Sequence, residues 1–355
     1  MIELKSITHL FQPKRGHGVS NINLKLQPGE VVALMGSNGS GKTTLLNIIS
    51  ETITAQAGSL IKTSAFQKSF FLTLNQLNQE TADIPQNLIE EKRSFAQWMN
   101  LTQVWDTATE NLSTGTAKKW AQLSSFLNLE ETSLLLLDEP FAHLDATSVA
   151  SIMEKLKEWA VEHQRCILWA THQLTDAARW SHRMIFLQQG KILFDGLPFD
   201  FLYHPPTTDL AKEVPGGNLL LGHYSEGQLK TADGNLNLKT ILAQLQDQQL
   251  QILNQSTPER PCCMWIKADQ FMLSFPNYDP PLKSKESETF EVQIKDLVFE
   301  YLRPILVLTT LKSQRLIKIE IPIHQWKQFS YPDAIKGPLL LSLKENATIH
   351  LFAEF

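Results

Sequence analysis

A chain of 355 residues with ordinary globular composition is long enough for two domains, each with its own core. Its net charge of −5 supplies no broad basic surface, so nucleic acid is not a favoured partner. The three cysteines, Cys166, Cys262 and Cys263, have neither metal-ligand nor disulfide spacing, which fits a reduced compartment. The segment Met1 to Lys5 alternates like a strand and lacks the apolar run of a signal peptide. No apolar stretch approaches the ~20 residues that span a bilayer, so any membrane role needs other chains to cross.

In chain order, Ile2 to Leu4 and Ile22 to Leu26 alternate as strands of an edge sheet. Phe11 lies between them, and periodicity alone assigns it to the core. Gly29 to Met35 then reads as a turn and an apolar strand, and Leu45 to Ile49 as a helix. Between them stands Gly36-Ser37-Asn38-Gly39-Ser40-Gly41-Lys42-Thr43-Thr44, which fits the phosphate-binding loop G-x-x-x-x-G-K-[ST]. Glycines let backbone N–H groups wrap a phosphate, and the helix N-terminus adds positive potential. Lys42 reaches the outer phosphates, and Thr43 is the expected Mg²⁺ ligand.

Gly58 to Ile61 resumes a strand, and Phe70 to Leu74 forms a buried one ending at Asn75-Gln76. Residues 77 to 133 read as mostly helical, with Trp98, Trp105 and Trp120 as packing anchors. Within them Ser113 or Thr114 is an N-cap candidate for the segment Ala117 to Leu123. Ser133 to Leu137 is a continuous apolar strand that delivers Asp138-Glu139-Pro140 at its carboxyl end. A carboxylate there holds Mg²⁺ through water, the role assigned to Asp138; the one beside it, Glu139, orients the attacking water. Leu144-Asp145 precedes a long helix from Thr147 to His163. A further buried strand, Cys166 to Thr171, ends at His172. Gln189-Gly190 is a hairpin turn between Met184–Leu187 and Lys191–Phe194.

With these motifs in this order, and with Leu112-Ser113-Thr114-Gly115-Thr116 between them, residues 1 to 203 resemble the ATP-binding-cassette (ABC) ATPases. The resemblance implies an α/β P-loop nucleotide-binding domain with a short helical subdomain, binding ATP and Mg²⁺. It implies that Phe11 stacks on adenine, that Gln76 touches Mg²⁺ and senses a membrane partner, and that His172 contacts the γ-phosphate in the same copy. Ser113 and Gly115 would bind that phosphate across a head-to-tail dimer, a homodimer or a heterodimer with a second ABC ATPase subunit, and Asp145 would cross the interface. The family's usual signature is Leu-Ser-Gly-Gly-Gln. Thr114 and Thr116 depart from it, which implies slow hydrolysis or a weaker site. Leu112 follows Gln76 by only 36 positions, a spacing similar to compact, exporter-type cassettes.

Residues 204 to 218, rich in Pro and Gly, read as a linker, and residues 219 to 355 as a smaller all-β, barrel-like domain of short strands. Strands are expected at 219–221, 228–231, 263–266, 290–294, 305–309, 316–321, 338–343 and 349–352. Pro276 to Glu288 reads as an exposed loop. This half is similar to the C-terminal oligomer-binding-like regulatory domains of importer ATPases through Gly217–Gly222, Trp265–Ser274 and Ala347–Phe352.

The leading expectation is an ATP-hydrolysing subunit on the cytoplasmic face of the inner membrane. It would power uptake through integral membrane permease subunits, served indirectly by an extracytoplasmic solute-binding protein. The alternatives are an exporter subunit and a non-transport cassette acting as a regulatory switch. Small kinases give no reason for Gln76, Ser113 and His172 in this order, and a GTP switch would need an N-K-x-D motif that is absent.

Overall fold

The computed structural model describes residues 1–12, 17–63, 66, 69–73, 132–141, 145–239, 241–258, 262–274, 289–300, 303–321, 339–344, 347 and 349–352. Gln76, the expected helical region to residue 131, the Leu112–Thr116 segment, Leu144 and the Pro276–Glu288 loop lie outside them. The chain divides into two compact units, Met1–Pro198 and Phe199–Phe355. Among the described residues no helix is long and apolar enough to cross a membrane.

In the first unit, strands β1 (Ile2–Gln12), β2 (His17–Leu26) and β4 (Ala57–Lys62) form an antiparallel sheet in the order β2-β1-β4. A second sheet joins β3 (Val31–Met35), β5 (Ser69–Thr73), β6 (Leu134–Asp138), β7 (Cys166–Ala170), β8 (Arg183–Gln188) and β9 (Lys191–Gly196). Its order is β5-β6-β7-β3-β8-β9, parallel except at the β8–β9 hairpin. The expected turn closes that hairpin, with Gln189 at φ 48° and Gly190 at φ 75°. Helices α1 (Lys42–Ile49), α2 (Ala146–Glu162) and α3 (Leu174–Trp180) complete the described part of the unit.

The fully buried runs of β3 and β7, and Leu134–Leu137 of β6, explain their continuous apolar sequences, since a central parallel strand is covered on both faces. One core cluster unites Ile2, Leu4 and Ile7 of β1, Leu45, Ile48 and Ile49 of α1, and Leu34, Leu136 and Leu168 of the large sheet. Its effect on the site is positional. Asp138 pairs with Ala170, and Ala170 with Leu34, so the carboxyl ends of β6, β7 and β3 finish level and side by side. In open α/β sheets ligands bind at that edge.

Arg183, on β8, ties three strands and the turn ahead of β3 together. Its Nη1 donates to Lys25 O of β2 at 2.9 Å, it pairs with Glu30 ahead of β3 at 3.2 Å, and its fork grips the carboxylate of Asp195 on β9. The hydrogen bond to Asp195 raises the Arg183 pKa above its ordinary value. Arg183→Ala leaves two carboxylates without their cation and is expected to cost about 2 kcal/mol. Thermal unfolding of the full chain measures it, and an unchanged Tm would contradict it.

The second unit contains two antiparallel sheets around one core. The first has the order β12-β11-β10-β13-β19, from β10 (Gly217–Ser225), β11 (Gln228–Lys230), β12 (Asn235–Asn237), β13 (Cys262–Lys267) and β19 (Ile349–Phe352). The second has the order β14-β18-β15-β16-β17, from β14 (Phe271–Ser274), β15 (Phe290–Glu300), β16 (Arg303–Thr310), β17 (Leu316–Glu320) and β18 (Leu339–Leu343). A bridge from Gly234 to Phe290 links the two, and Leu220, Leu236, Met264, Phe290, Leu306 and Leu341 share the core.

The expectation that residues 219–355 are all-β is corrected by one helix, Asp247–Gln255 (α6). Ahead of that region, Pro198–Tyr203 (α4) and Thr208–Glu213 (α5) are helical as well. The division at Pro198/Phe199 also falls ahead of residue 204, and the expected linker contains α5 and the start of β10. Thr207 caps α5 by accepting from Leu210 N at 3.2 Å, so a Pro- and Thr-rich stretch that reads as linker is a helix start.

His350 on β19 is held at Nδ1 by Gln249 of α6, 3.2 Å away, and its ring lies 5.7 Å from that of His204. Burial and then His204 lower its pKa to about 4. A depressed histidine stabilises the fold fully above its unfolded pKa of 6.5, and that stability is lost as pH falls from 6.5 toward 4. Allowing for partial exposure, about 1 kcal/mol should disappear between pH 7 and 5. Hydrogen exchange of β19 in the full chain reads the change. His350→Phe should flatten it, and an undiminished pH dependence in that variant would contradict the assignment.

Candidate active site

The loop from Gly36 to Gly41 leaves β3 and feeds α1, which starts at Lys42, three residues earlier than the apolar pattern indicates. Gly41 is its N-cap at φ 109° and supplies no side-chain cap, so the first-turn N–H groups face outward. Two glycines are required sterically. A Cβ on Gly36 would meet Leu187 O at 2.1 Å, and one on Gly41 would meet Gly18 O at 2.6 Å. Gly39, at φ 79°, has open space around it.

Lys42 is buried, and its Nζ donates to Gly36 O at 2.8 Å and Ser37 O at 3.3 Å. Desolvation lowers its pKa, opposed by Glu139 and then Asp138. Thr43 Oγ1 donates to Asp138 Oδ2 at 2.7 Å, joining the loop to the end of β6. Burial raises the Asp138 pKa against the Thr43 hydrogen bond, with Glu139 adding to the rise and Lys42 opposing it. Glu139 follows at φ 49°, a left-handed backbone uncommon for a residue with a Cβ, and its N–H donates to Ala170 O at 3.1 Å. His172, beyond the end of β7, brings Nδ1 to 3.5 Å from Glu139 Oε1 and is 57% exposed.

Apart from His172, which lines a neighbouring hollow with Glu139, Thr171 and Gln173, these groups open on a cleft of about 520 Å³ lined by Phe11, His17, Gly18, Asn38, Gly39, Gly41, Lys42, Thr43, Thr44, Asp138 and Glu139. Phe11 is 56% exposed at its rim, which corrects the core position that periodicity assigns it. His17 and Gly18 were not singled out from sequence. Gly18 carried a signal, a glycine inside a strand pattern: it has φ 133°, and a Cβ there would lie 2.0 Å from His9 O. Ser37 and Ser40 belong to the loop without lining the cleft. Asp145 is engaged within its own chain as the N-cap of α2, accepting from Ser148 N at 2.9 Å and Ser148 Oγ at 2.8 Å. Gln76, Ser113 and Gly115 lie outside the described residues.

A helix start free of side-chain caps, one lysine and no acid in its first turn can bind a polyphosphate. The Thr43 hydroxyl and the Asp138 carboxylate are hard oxygen donors suited to a small divalent cation that keeps most of its ligands as water and phosphate. Among the described residues no group of three or more His, Cys, Asp or Glu side chains could hold a metal ion.

Residues 19–142, which include the loop, Asp138 and Glu139, match the family model described as ABC transporter. The chain carries an ABC transporter ATPase domain. Among its relatives are the petrobactin import ATP-binding protein FpuC of Bacillus anthracis, 28% identical over 52% of this chain and 78% of the relative, and the thiamine import ATP-binding protein ThiQ of Photorhabdus laumondii, 29% identical over 56% and 91%. The spermidine/putrescine import ATP-binding protein PotA of Borreliella afzelii is 25% identical over 64% and 71%. Among solved structures, cbiO1 of Clostridium perfringens, part of an ABC transporter complex, is 22% identical over 56% of this chain and 89% of its own, with a TM-score of 0.46.

Proposed function

We propose that this chain is the ATP-hydrolysing subunit of an uptake transporter, working as a head-to-tail dimer on separate integral membrane subunits. The observation that carries the hydrolytic reading is the alignment at one sheet edge of an uncapped helix start, the Thr43–Asp138 pair and Glu139. The ABC family match supports the transport role, and relatives named as import ATP-binding proteins support its direction.

In this reading the α1 amides and Lys42 hold the β- and γ-phosphates, with Lys42 exchanging its loop carbonyls for phosphate oxygens. Thr43 and Asp138 hold Mg²⁺, which when bound neutralises charge on the phosphates. Glu139 orients the attacking water and accepts its proton, His172 lies within reach of the γ-phosphate, and Phe11 offers its exposed ring to adenine. Ser113 and Gly115 of a second copy close the open side of the phosphate, Asp145 lies at the dimer interface, and Gln76 links Mg²⁺ to the membrane partner.

The second unit is read as an oligomer-binding-like regulatory domain. In its support, Gly217–Gly222 pairs with Cys262–Lys267, and Cys263–Ile266 with Ile349–Phe352, so three of the motif stretches meet in one sheet, while Phe271–Ser274 joins the other. A location on the cytoplasmic face of the inner membrane follows from the transport reading, with a solute-binding protein upstream. Detergent extraction of membranes with tagged full-length chain tests it. Integral membrane subunits should co-purify, together with restored solute uptake in vesicles, and their consistent absence would contradict the transport role.

A further inference from the structure

The end of β1 that carries Phe11 is held by a side chain acting in place of a strand. The β1–β4 ladder is irregular between Lys5 and Thr8, and its last pair is Thr8 with Ala57. Beyond that pair, Leu10 N donates to Gln56 Oε1 at 3.0 Å and Gln56 Nε2 donates to Leu10 O at 3.1 Å. One amide side chain thus supplies both halves of a missing rung. The backbone of Gln56 is itself fixed, its N–H donating to Thr8 O at 2.8 Å. Two residues earlier, Thr54 O lies 3.0 Å from His9 Nδ1. A carbonyl only accepts, so Nδ1 carries the proton. The His9 ring then meets the Phe11 ring edge-on, with centroids 4.8 Å apart and planes at 70°.

Gln56 is exposed, and water could satisfy both Leu10 groups without it. Fixing a glutamine costs side-chain entropy, so the bonds must yield something beyond polar satisfaction. What they set is the position of the segment His9 to Phe11, whose last ring stands exposed at the cleft rim. The segment holding it, Thr54 to Gln56, follows α1, whose other end is the phosphate loop, and Ile53 N donates to Asn47 O of that helix at 3.1 Å. The base end and the phosphate end of the cleft therefore hang on one connected piece of chain.

We propose that Gln56 is a positioning residue for nucleotide binding, holding Leu10 so that Phe11, backed by His9, stands as a preset platform for the base. This rests on the ATP-site reading above.

The test is equilibrium binding of Mg·ATP and of inorganic tripolyphosphate, which has no base, to the full-length wild type, Phe11→Ala, Gln56→Ala and the double variant. Phe11→Ala should weaken ATP about tenfold and Gln56→Ala roughly fourfold, both leaving tripolyphosphate unchanged, with no further loss in the double variant. Unchanged tripolyphosphate binding also reports an intact loop. Gln56→Glu, which keeps the acceptor for Leu10 N but loses the donor to Leu10 O, should fall between. If Phe11→Ala weakens ATP while Gln56→Ala does not, or if Gln56→Ala weakens both ligands equally, or if the two losses multiply, the positioning role is overturned. Failure of Phe11→Ala to weaken ATP overturns the base platform itself, and failure of the wild type to bind either ligand overturns the ATP site.

Discussion

Glu139→Gln should lower ATP turnover about a thousand-fold while ATP binding persists. Glutamine keeps the size of the side chain and its place beside His172, whose Nδ1 lies 3.5 Å from Glu139 Oε1, but it cannot accept a proton from water. Asp138 does not replace it, because that carboxylate is committed to Thr43 at 2.7 Å and sits within β6, whereas Glu139 turns out of the strand at φ 49°. With turnover blocked, the ATP-bound dimer should accumulate and be visible by light scattering. Turnover equal to wild type would remove Glu139 from its assigned role.

Lys42→Ala should weaken ATP by roughly a hundred-fold, about 3 kcal/mol, from the loss of charge-assisted bonds to the outer phosphates. Lys42 is the cation drawn by both Glu139 and Asp138, so its removal also leaves those carboxylates facing a phosphate unscreened. Arginine should not rescue, since the ammonium is buried against Gly36 O and a branched planar guanidinium needs more room. Titration with a fluorescent ATP analogue checks this, and an affinity within threefold of wild type would contradict it.

Much of the site was legible because its parts are local patterns with fixed physical causes. The loop residues are glycines where a Cβ would strike Leu187 O or Gly18 O, and Asp138 and Glu139 stand at the end of a strand too apolar to be anything but central. Phe11 was misplaced by periodicity because β1 has irregularities between Leu4 and Ile7, between Ile7 and His9, and between Leu10 and Gln12, each of which can break the alternation that inward-facing positions are read from. Gln56 gave no signal at all, since its role depends on a neighbour forty-six positions away.

In the second unit the longer strands contain their expected apolar runs but outrun them: β10 covers Gly217–Ser225 rather than 219–221, and β15 covers Phe290–Glu300 rather than 290–294. Three-residue β11 was anticipated, but β12, no longer, was not, because so few residues carry no period. Helix α6 lies in a glutamine-rich stretch whose apolar residues are few, with Leu253 its buried side chain. The α5 region shows the same weakness in another form: Pro and Thr punctuate a helix start and a linker alike.

Phosphate release from ATP by the purified full-length protein, measured with and without Mg²⁺ over a range of protein concentrations, is the most direct test of the proposed ATPase. Release should depend on Mg²⁺, and its rate per copy should rise with concentration, because in the proposed dimer a second copy closes the side of the γ-phosphate that one loop leaves open. No release at any concentration from protein with an intact fold, or release that ignores Mg²⁺, would contradict the proposal.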